Sequence, residues 1–180
     1  MVTLTIDNRS VTVPEGSLIV DAAMKLGIEI PVFCYHPKMK PVGMCRMCLV
    51  DVGRPVIDRA TGEVVKEADG SPKIAFGPKL DTACTTPVSE GMVVITNSEK
   101  VRAARKEVVE FILTSHPLDC PICDKGGECP LQNLTMAHGP STSRFIFDEK
   151  MHLAKHGRVK RLNRSGSVRY SSAWFVYSGG

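Results

Sequence analysis

The chain has 180 residues, of which 43% are hydrophobic and 23% charged, a composition that excludes a disordered or low-complexity protein. Aromatic residues are only 6%, so two small domains would have thin cores and would need another staple. A net charge of +4, mild and scattered, argues against nucleic acid as a partner; no apolar run is long enough to span a membrane, and the start Met1-Val2-Thr3-Leu4 lacks the features of a secretion signal, which favours the cytosolic side.

Val2, Leu4 and Ile6 alternate with polar residues, and Val11 and Val13 resume after Asp7-Asn8-Arg9-Ser10, a pattern that predicts a β-hairpin with one buried face. Ser17 is placed to N-cap a short helix bearing Leu18, Ala22 and Leu26, and Gly27 to stop it. Pro31, Pro37, Pro41 and Gly43 punctuate a loop, and Leu49 to Val52 reads as a strand. Residues 53–80, with the turn signal Asp69-Gly70-Ser71-Pro72, read as an excursion, a surface hairpin or long loop. Met92 to Ile95 is the expected last strand of an α+β domain with a helix across a small sheet. Thr96 and Glu99 fit a capping box for a helix whose apolar stripe is Val101, Ala104, Val108, Phe111 and Ile112. Lys100, Arg102, Arg105 and Lys106 are then expected on its solvated face. The helix should stop near Ser115, before His116-Pro117. Leu131 to Ala137 should form one or two helical turns, and after about residue 157 the pattern dissolves into Arg, Ser and Gly.

Seven cysteines, an odd number, in a chain without an export signal argue against a disulfide framework. Cys34, Cys45, Cys48 and Cys84 read as C-x10-C-x2-C-x35-C, close to the plant-type [2Fe–2S] order of an outlying cysteine, a C-x2-C pair and a distant fourth. Cys120, Cys123 and Cys129 form C-x2-C-x5-C behind His116, giving a second set of four candidate ligands. Thiolates suit both iron–sulfur clusters and zinc, and four cysteines, or three with one histidine, are also structural zinc sets. A zinc-stapled interaction module without a redox role is therefore the rival from a different class. Gly126-Gly127 between the last two cysteines would let the chain curl over a bulky cluster. His36, His138, His152 and His156 are expected to be exposed or capping residues, and Met44 and Met47 to pack near a cluster without ligating it.

Val42-Gly43-Met44-Cys45-Arg46-Met47-Cys48-Leu49-Val50 and the run from His116 to Gln132 (HPLDCPICDKGGECPLQ) resemble the large iron–sulfur subunit of respiratory NADH:quinone oxidoreductase, complex I, over about residues 1–150. That resemblance implies a β-grasp, ferredoxin-like [2Fe–2S] domain over residues 1–97 with an insertion at 53–80. A small helical [4Fe–4S] domain over 98–150 would follow, and then a divergent or truncated tail, 151–180. It implies [2Fe–2S] ligation by Cys34, Cys45, Cys48 and Cys84 and [4Fe–4S] ligation by His116, Cys120, Cys123 and Cys129. The family continues into a third cluster motif, and here Ser167, Tyr170 and Ala173 stand where thiolates would be expected.

The implied function is single-electron relay from a flavin-bearing, NADH-oxidising partner toward quinone. Partners would be that subunit and other peripheral-arm iron–sulfur subunits, on the cytoplasmic side of the inner (plasma) membrane, with membrane contact only through the complex. No G-x-G-x-x-G fingerprint and no acid–base or nucleophile constellation accompanies the cysteines, so no complete active site, and no catalytic residue, is expected in this chain alone. The electron-input subunit of a soluble NAD-linked hydrogenase or formate dehydrogenase is the alternative within the same chemistry.

Overall fold

The computed structural model describes residues 1–144 apart from 59–61, 63, 69, 115, 118 and 143. Strand β1 (Val2–Ile6) and strand β2 (Arg9–Val13) form the expected hairpin. Its turn is tighter than the four polar residues suggest: only Asp7 (φ 45°) and Asn8 (φ 64°) lie outside the strands, and Arg9 and Ser10 pair with Ile6 and Thr5. Positive φ at both turn positions matches the strand twist, and Asp and Asn tolerate it better than other side chains with a Cβ.

Helix α1 (Ile19–Lys25) has Leu18 at its N-cap, one residue beyond the expected Ser17, and no side chain caps it. Its first amides are satisfied from across the fold instead: Ile19 N–H donates to the Thr86 carbonyl and Val20 N–H to the Ala83 carbonyl, both at 3.1 Å. At the other end Gly27 (φ 71°) stops the helix as expected, with Gly27 N–H on the Met24 carbonyl and Ile28 N–H on that of Ala23.

Strands β3 (Leu49–Pro55), β4 (Ile74–Phe76), β5 (Asp81–Thr82) and β6 (Val93–Ile95) complete a sheet of order β2-β1-β6-β3-β4, with β5 paired to β3. The β1–β6 pair is parallel and the others antiparallel. Leu4, Ile6, Val13, Val50, Val52 and Val94 share one buried cluster with Ile19, Val20, Ala22 and Ala23 of α1. This is the helix-across-sheet α+β arrangement read from the pattern.

Strand β3 runs three residues past Val52, so Gly53, Arg54 and Pro55 belong to the sheet; Gly53 pairs with both Phe76 and Val93. The excursion proper begins after them, as a surface hairpin in which Val56 N–H donates to the Lys73 carbonyl at 2.9 Å. Replacing residues 57–72 with an Asn-Gly turn is expected to leave the domain folded, with unfolding free energy changed by no more than about 1 kcal/mol, because loop closure depends only weakly on length. Urea denaturation and iron content check this; loss of the first iron site would make the hairpin structural.

Helix α2 (Glu99–Thr114) packs against β3 and against α3 (Pro130–His138). The expected capping box does not form. Ser98 Oγ accepts the Val101 N–H at 3.2 Å, while Thr96 turns away and donates its N–H to the Asp7 carboxylate at 2.8 Å. The buried stripe also differs from the expected one: Val101, Arg105 and Val109 are buried at strict i, i+4 spacing, and Phe111 is 78% exposed. Arg105, assigned by charge to the solvated face, is only 4% exposed, because its guanidinium reaches the Leu49 carbonyl on β3 (Nη2 to O, 3.0 Å). Pro130 occupies the first turn of α3, where its missing N–H costs nothing. Among the described residues no helix is long and apolar enough to cross a membrane.

Candidate metal centres

The loop from Ile30 to Met47 brings Cys34 and Cys45 together, although ten residues separate them. Cys45 N–H donates to Cys34 Sγ at 3.4 Å, and Met47 N–H donates to Cys45 Sγ at 3.5 Å. The backbone takes this course through two left-handed residues, Gly43 (φ 66°) and Arg46 (φ 61°). A Cβ on Gly43 would stand 2.9 Å from Thr85 Cγ2, so glycine lets this loop close on the turn that carries Cys84. Tyr35 anchors the loop to α1 by donating its hydroxyl to Asp21 Oδ1 at 2.5 Å. Burial and that carboxylate push the Tyr35 phenol up to about 12, so it stays a donor at physiological pH.

Cys48 and Cys84 form a second, buried pair. Ala83 N–H donates to the Cys48 carbonyl at 3.0 Å, and the β3–β5 pairing of Leu49 with Thr82 holds the two segments in register. The turn is braced by the Thr86 hydroxyl on the Thr82 carbonyl (2.9 Å) and by the bonded hydroxyls of Thr82 and Thr85. The C-x2-C motif is thus split, since Cys45 faces Cys34 and Cys48 faces Cys84. Electrostatics separates the thiols. Burial acts to raise Cys34, but backbone amides and the Cys45 thiol donating to its sulfur outweigh burial and leave it below the usual thiol range. Burial raises Cys45, and burial together with the Cys48 bond and the neighbouring sulfur charges raises Cys84 to about 12. None of the four is joined in a disulfide.

The second set is spread along one irregular segment. His116 follows α2, and its N–H donates to the Leu113 carbonyl at 3.3 Å. A single 3-10 turn (Cys120–Ile122) carries Cys120, which is exposed; Cys123 caps that turn, and the buried Cys129 is the N-cap of α3. Gly126 fits against this turn because it has no side chain: a Cβ there would lie 2.9 Å from the Cys120 carbonyl and 3.1 Å from that of Cys123. Gly127 (φ 89°) donates its N–H to Gln132 Oε1 at 3.2 Å, a clamp that the spacing of the cysteines does not reveal. Gly126→Ala is expected to destabilise this segment by about 1–3 kcal/mol, through overpacking against backbone that cannot yield as a side chain would. Loss of the second site's iron, at unchanged first-site occupancy, checks this.

Among the described residues no three His, Cys, Asp or Glu side chains converge on one point as a mononuclear metal ion would require. In the first set two thiol pairs suit a two-iron cluster holding two thiolates per iron. The second set is not gathered into a ligand group. Of the other histidines, His36 accepts the Lys38 N–H at 3.2 Å in a local turn, and His138 ends α3 with its imidazole held below its ordinary value by burial and by the Arg105 charge. His152 and His156, like Ser167, Tyr170 and Ala173 of the tail, lie outside the described residues. Met47 is fully buried, whereas Met44 is 77% exposed.

Residues 1–99 match the family described as 2Fe-2S iron-sulfur cluster binding domain. The chain belongs to that family. Residues 105–144 match the NADH-ubiquinone oxidoreductase-G iron-sulfur binding region, so the cofactors of this member of the 2Fe-2S family are a [2Fe–2S] and a [4Fe–4S] cluster. The chain is 41% identical, over 87% of its length, to NADH-quinone oxidoreductase subunit 3 of Thermus thermophilus, covering 21% of that protein. It is 43% identical, over 81% of its length, to the NADH-ubiquinone oxidoreductase 75 kDa subunit of Reclinomonas americana, covering 18% of that one. It therefore spans about a fifth of the length of these relatives and corresponds to their N-terminal region. A crystal structure of NAD+-reducing [NiFe]-hydrogenase shares the fold at a TM-score of 0.60 and 30% identity, over 80% of this chain and 51% of the other.

The residues present fit these groups. At the first set, amides aimed at Sγ of Cys34 and Cys45 are the donors a sulfur-rich anion needs, and no acidic side chain stands between Ile30 and Val50 to repel it. At the second, the donor set in one short segment is three thiols and an imidazole, and the chain between Cys123 and Cys129 is too tightly folded at Gly126 to admit a side chain.

Proposed function

We propose that this chain is an iron–sulfur electron-transfer module of NADH:quinone oxidoreductase, passing single electrons from a flavin-bearing, NADH-oxidising subunit toward quinone. In this reading Cys34 and Cys45 hold one iron of the [2Fe–2S] cluster and Cys48 and Cys84 the other, while His116, Cys120, Cys123 and Cys129 hold the [4Fe–4S] cluster. The two thiol pairs carry the reading, because their arrangement suits a two-iron group with two thiolates on each iron. When bound, such clusters accept and release one electron at a time without proton chemistry of their own. The protein's part is to supply thiolates, aim amides at them, and keep water from the buried Cys48–Cys84 side.

The module would act at the periphery of the complex, on the cytoplasmic side of the membrane, beside the other iron–sulfur subunits of the arm. Fold similarity to the NAD+-reducing hydrogenase supports a second reading, the electron-input part of a soluble NAD-linked hydrogenase. Anaerobic purification with iron, sulfide and zinc analysis and low-temperature EPR tests the proposal. Brown protein with two reducible signals, and no NADH:quinone activity from the chain alone, is expected. Stoichiometric zinc without sulfide, or activity from the isolated chain, would overturn it.

A further inference from the structure

We infer that Arg105 is the built-in counter-charge of the first iron–sulfur site, positioned through β3 to raise that site's reduction potential. The inference rests on the [2Fe–2S] reading of Cys34, Cys45, Cys48 and Cys84. Arg105 is buried, and a buried guanidinium is tolerated only against compensating negative charge. Among the described residues no carboxylate lies within ion-pair distance of it. Its Nε has no hydrogen-bond partner, and the buried Asp51 Oδ1 on the facing strand is likewise unbonded. What Arg105 does hold is the carbonyl of Leu49, the residue that follows the ligand Cys48. Asp7, a carboxylate whose charge does act on Arg105, is already engaged with Thr96.

The chain therefore holds a buried cation against the residue that follows Cys48, with no carboxylate in ion-pair contact with it among the described residues. Two ferric ions, two sulfides and four thiolates sum to a doubly negative group, and one added electron makes it triply negative. A fixed positive charge nearby favours the more negative state and so favours reduction. Simple cross-strand anchoring by the Leu49 bond is the competing account, and glutamine separates the two, since its amide can keep a donor there while dropping the charge.

The test uses the full chain, purified anaerobically, with EPR-monitored redox titration of the wild type, Arg105→Gln and Arg105→Lys, and urea denaturation of each apo form. Arg105→Gln is expected to make reduction of the first cluster at least tenfold less favourable, about 59 mV for one electron. Arg105→Lys is expected to stay within threefold of the wild type. Apo Arg105→Gln is expected to be no less stable than the apo wild type, because it loses an uncompensated buried charge. An unshifted potential in Arg105→Gln, an equal fall in both variants, or an apo Arg105→Gln chain that is destabilised or fails to fold would each overturn the inference. Absence of any [2Fe–2S] signal in the wild type would instead overturn the ligand reading on which it rests.

Discussion

Cys45→Ser is expected to remove the EPR signal of the first cluster, with occupancy falling on the order of tenfold or more, and to leave the signal of the second. Serine is shorter, harder and remains protonated, so it is a poor substitute for a soft thiolate. Position 45 is also where the loop converges: its sulfur accepts the Met47 amide and its own amide reaches Cys34 Sγ. Cys123→Ser should give the complementary loss. Iron and sulfide analysis beside the spectra decides the matter; a two-signal spectrum in Cys45→Ser would reject the assignment of the first set.

His116→Cys is expected to keep the second cluster but lower its potential by on the order of 100 mV, since thiolate adds a negative charge where neutral imidazole has none. His116→Ala is expected to leave a labile cluster, a three-iron form, or one with an external ligand. The competing account makes His116 a helix-terminating residue favoured by the α2 dipole. It stands two residues beyond the end of that helix and directly before Pro117, as such a residue would. Redox titration separates the two, because an unchanged potential and line shape in His116→Ala would assign it only the terminating role.

Both tests lean on a pattern legible in the sequence by itself. The hairpin and the Gly27 stop follow from local spacing, since each depends on neighbours a few residues away, and the two candidate ligand sets are read from the order of the cysteines along the chain. What spacing could not convey was pairing in space. Cys45 and Cys48 read as one unit, yet the left-handed Arg46 between them sends the two sulfurs to different partners. Thr96 read as a helix cap, but a long-range bond to Asp7 claims it and Ser98 caps instead. Arg105 read as solvent-facing because arginine usually is; the carbonyl it reaches on β3 lies 56 residues away in sequence. A cation at i+4 between Val101 and Val109 was the signal available in the sequence. The hairpin after Pro55 was recognised, but its hold on the sheet edge depends on strand pairing that no turn signal reports.

The parallel placement of β1 against β6 also bears on how the protein is made. Asp7, at the end of β1, meets Thr96 only after 89 further residues have been added. At about 5–20 residues per second, the first hairpin waits roughly 4–18 s on the ribosome for its central neighbour. During that interval Leu4 and Ile6 have neither β6 nor a finished core to cover them. Cys34, Cys45 and Cys48 emerge well before Cys84, so three thiols are available to stray metal or oxidant before the fourth exists. With Cys84 as the proposed fourth ligand, cofactor insertion into this domain is expected late in synthesis, and a nascent chain arrested before residue 84 should bind chaperone and no [2Fe–2S] cluster.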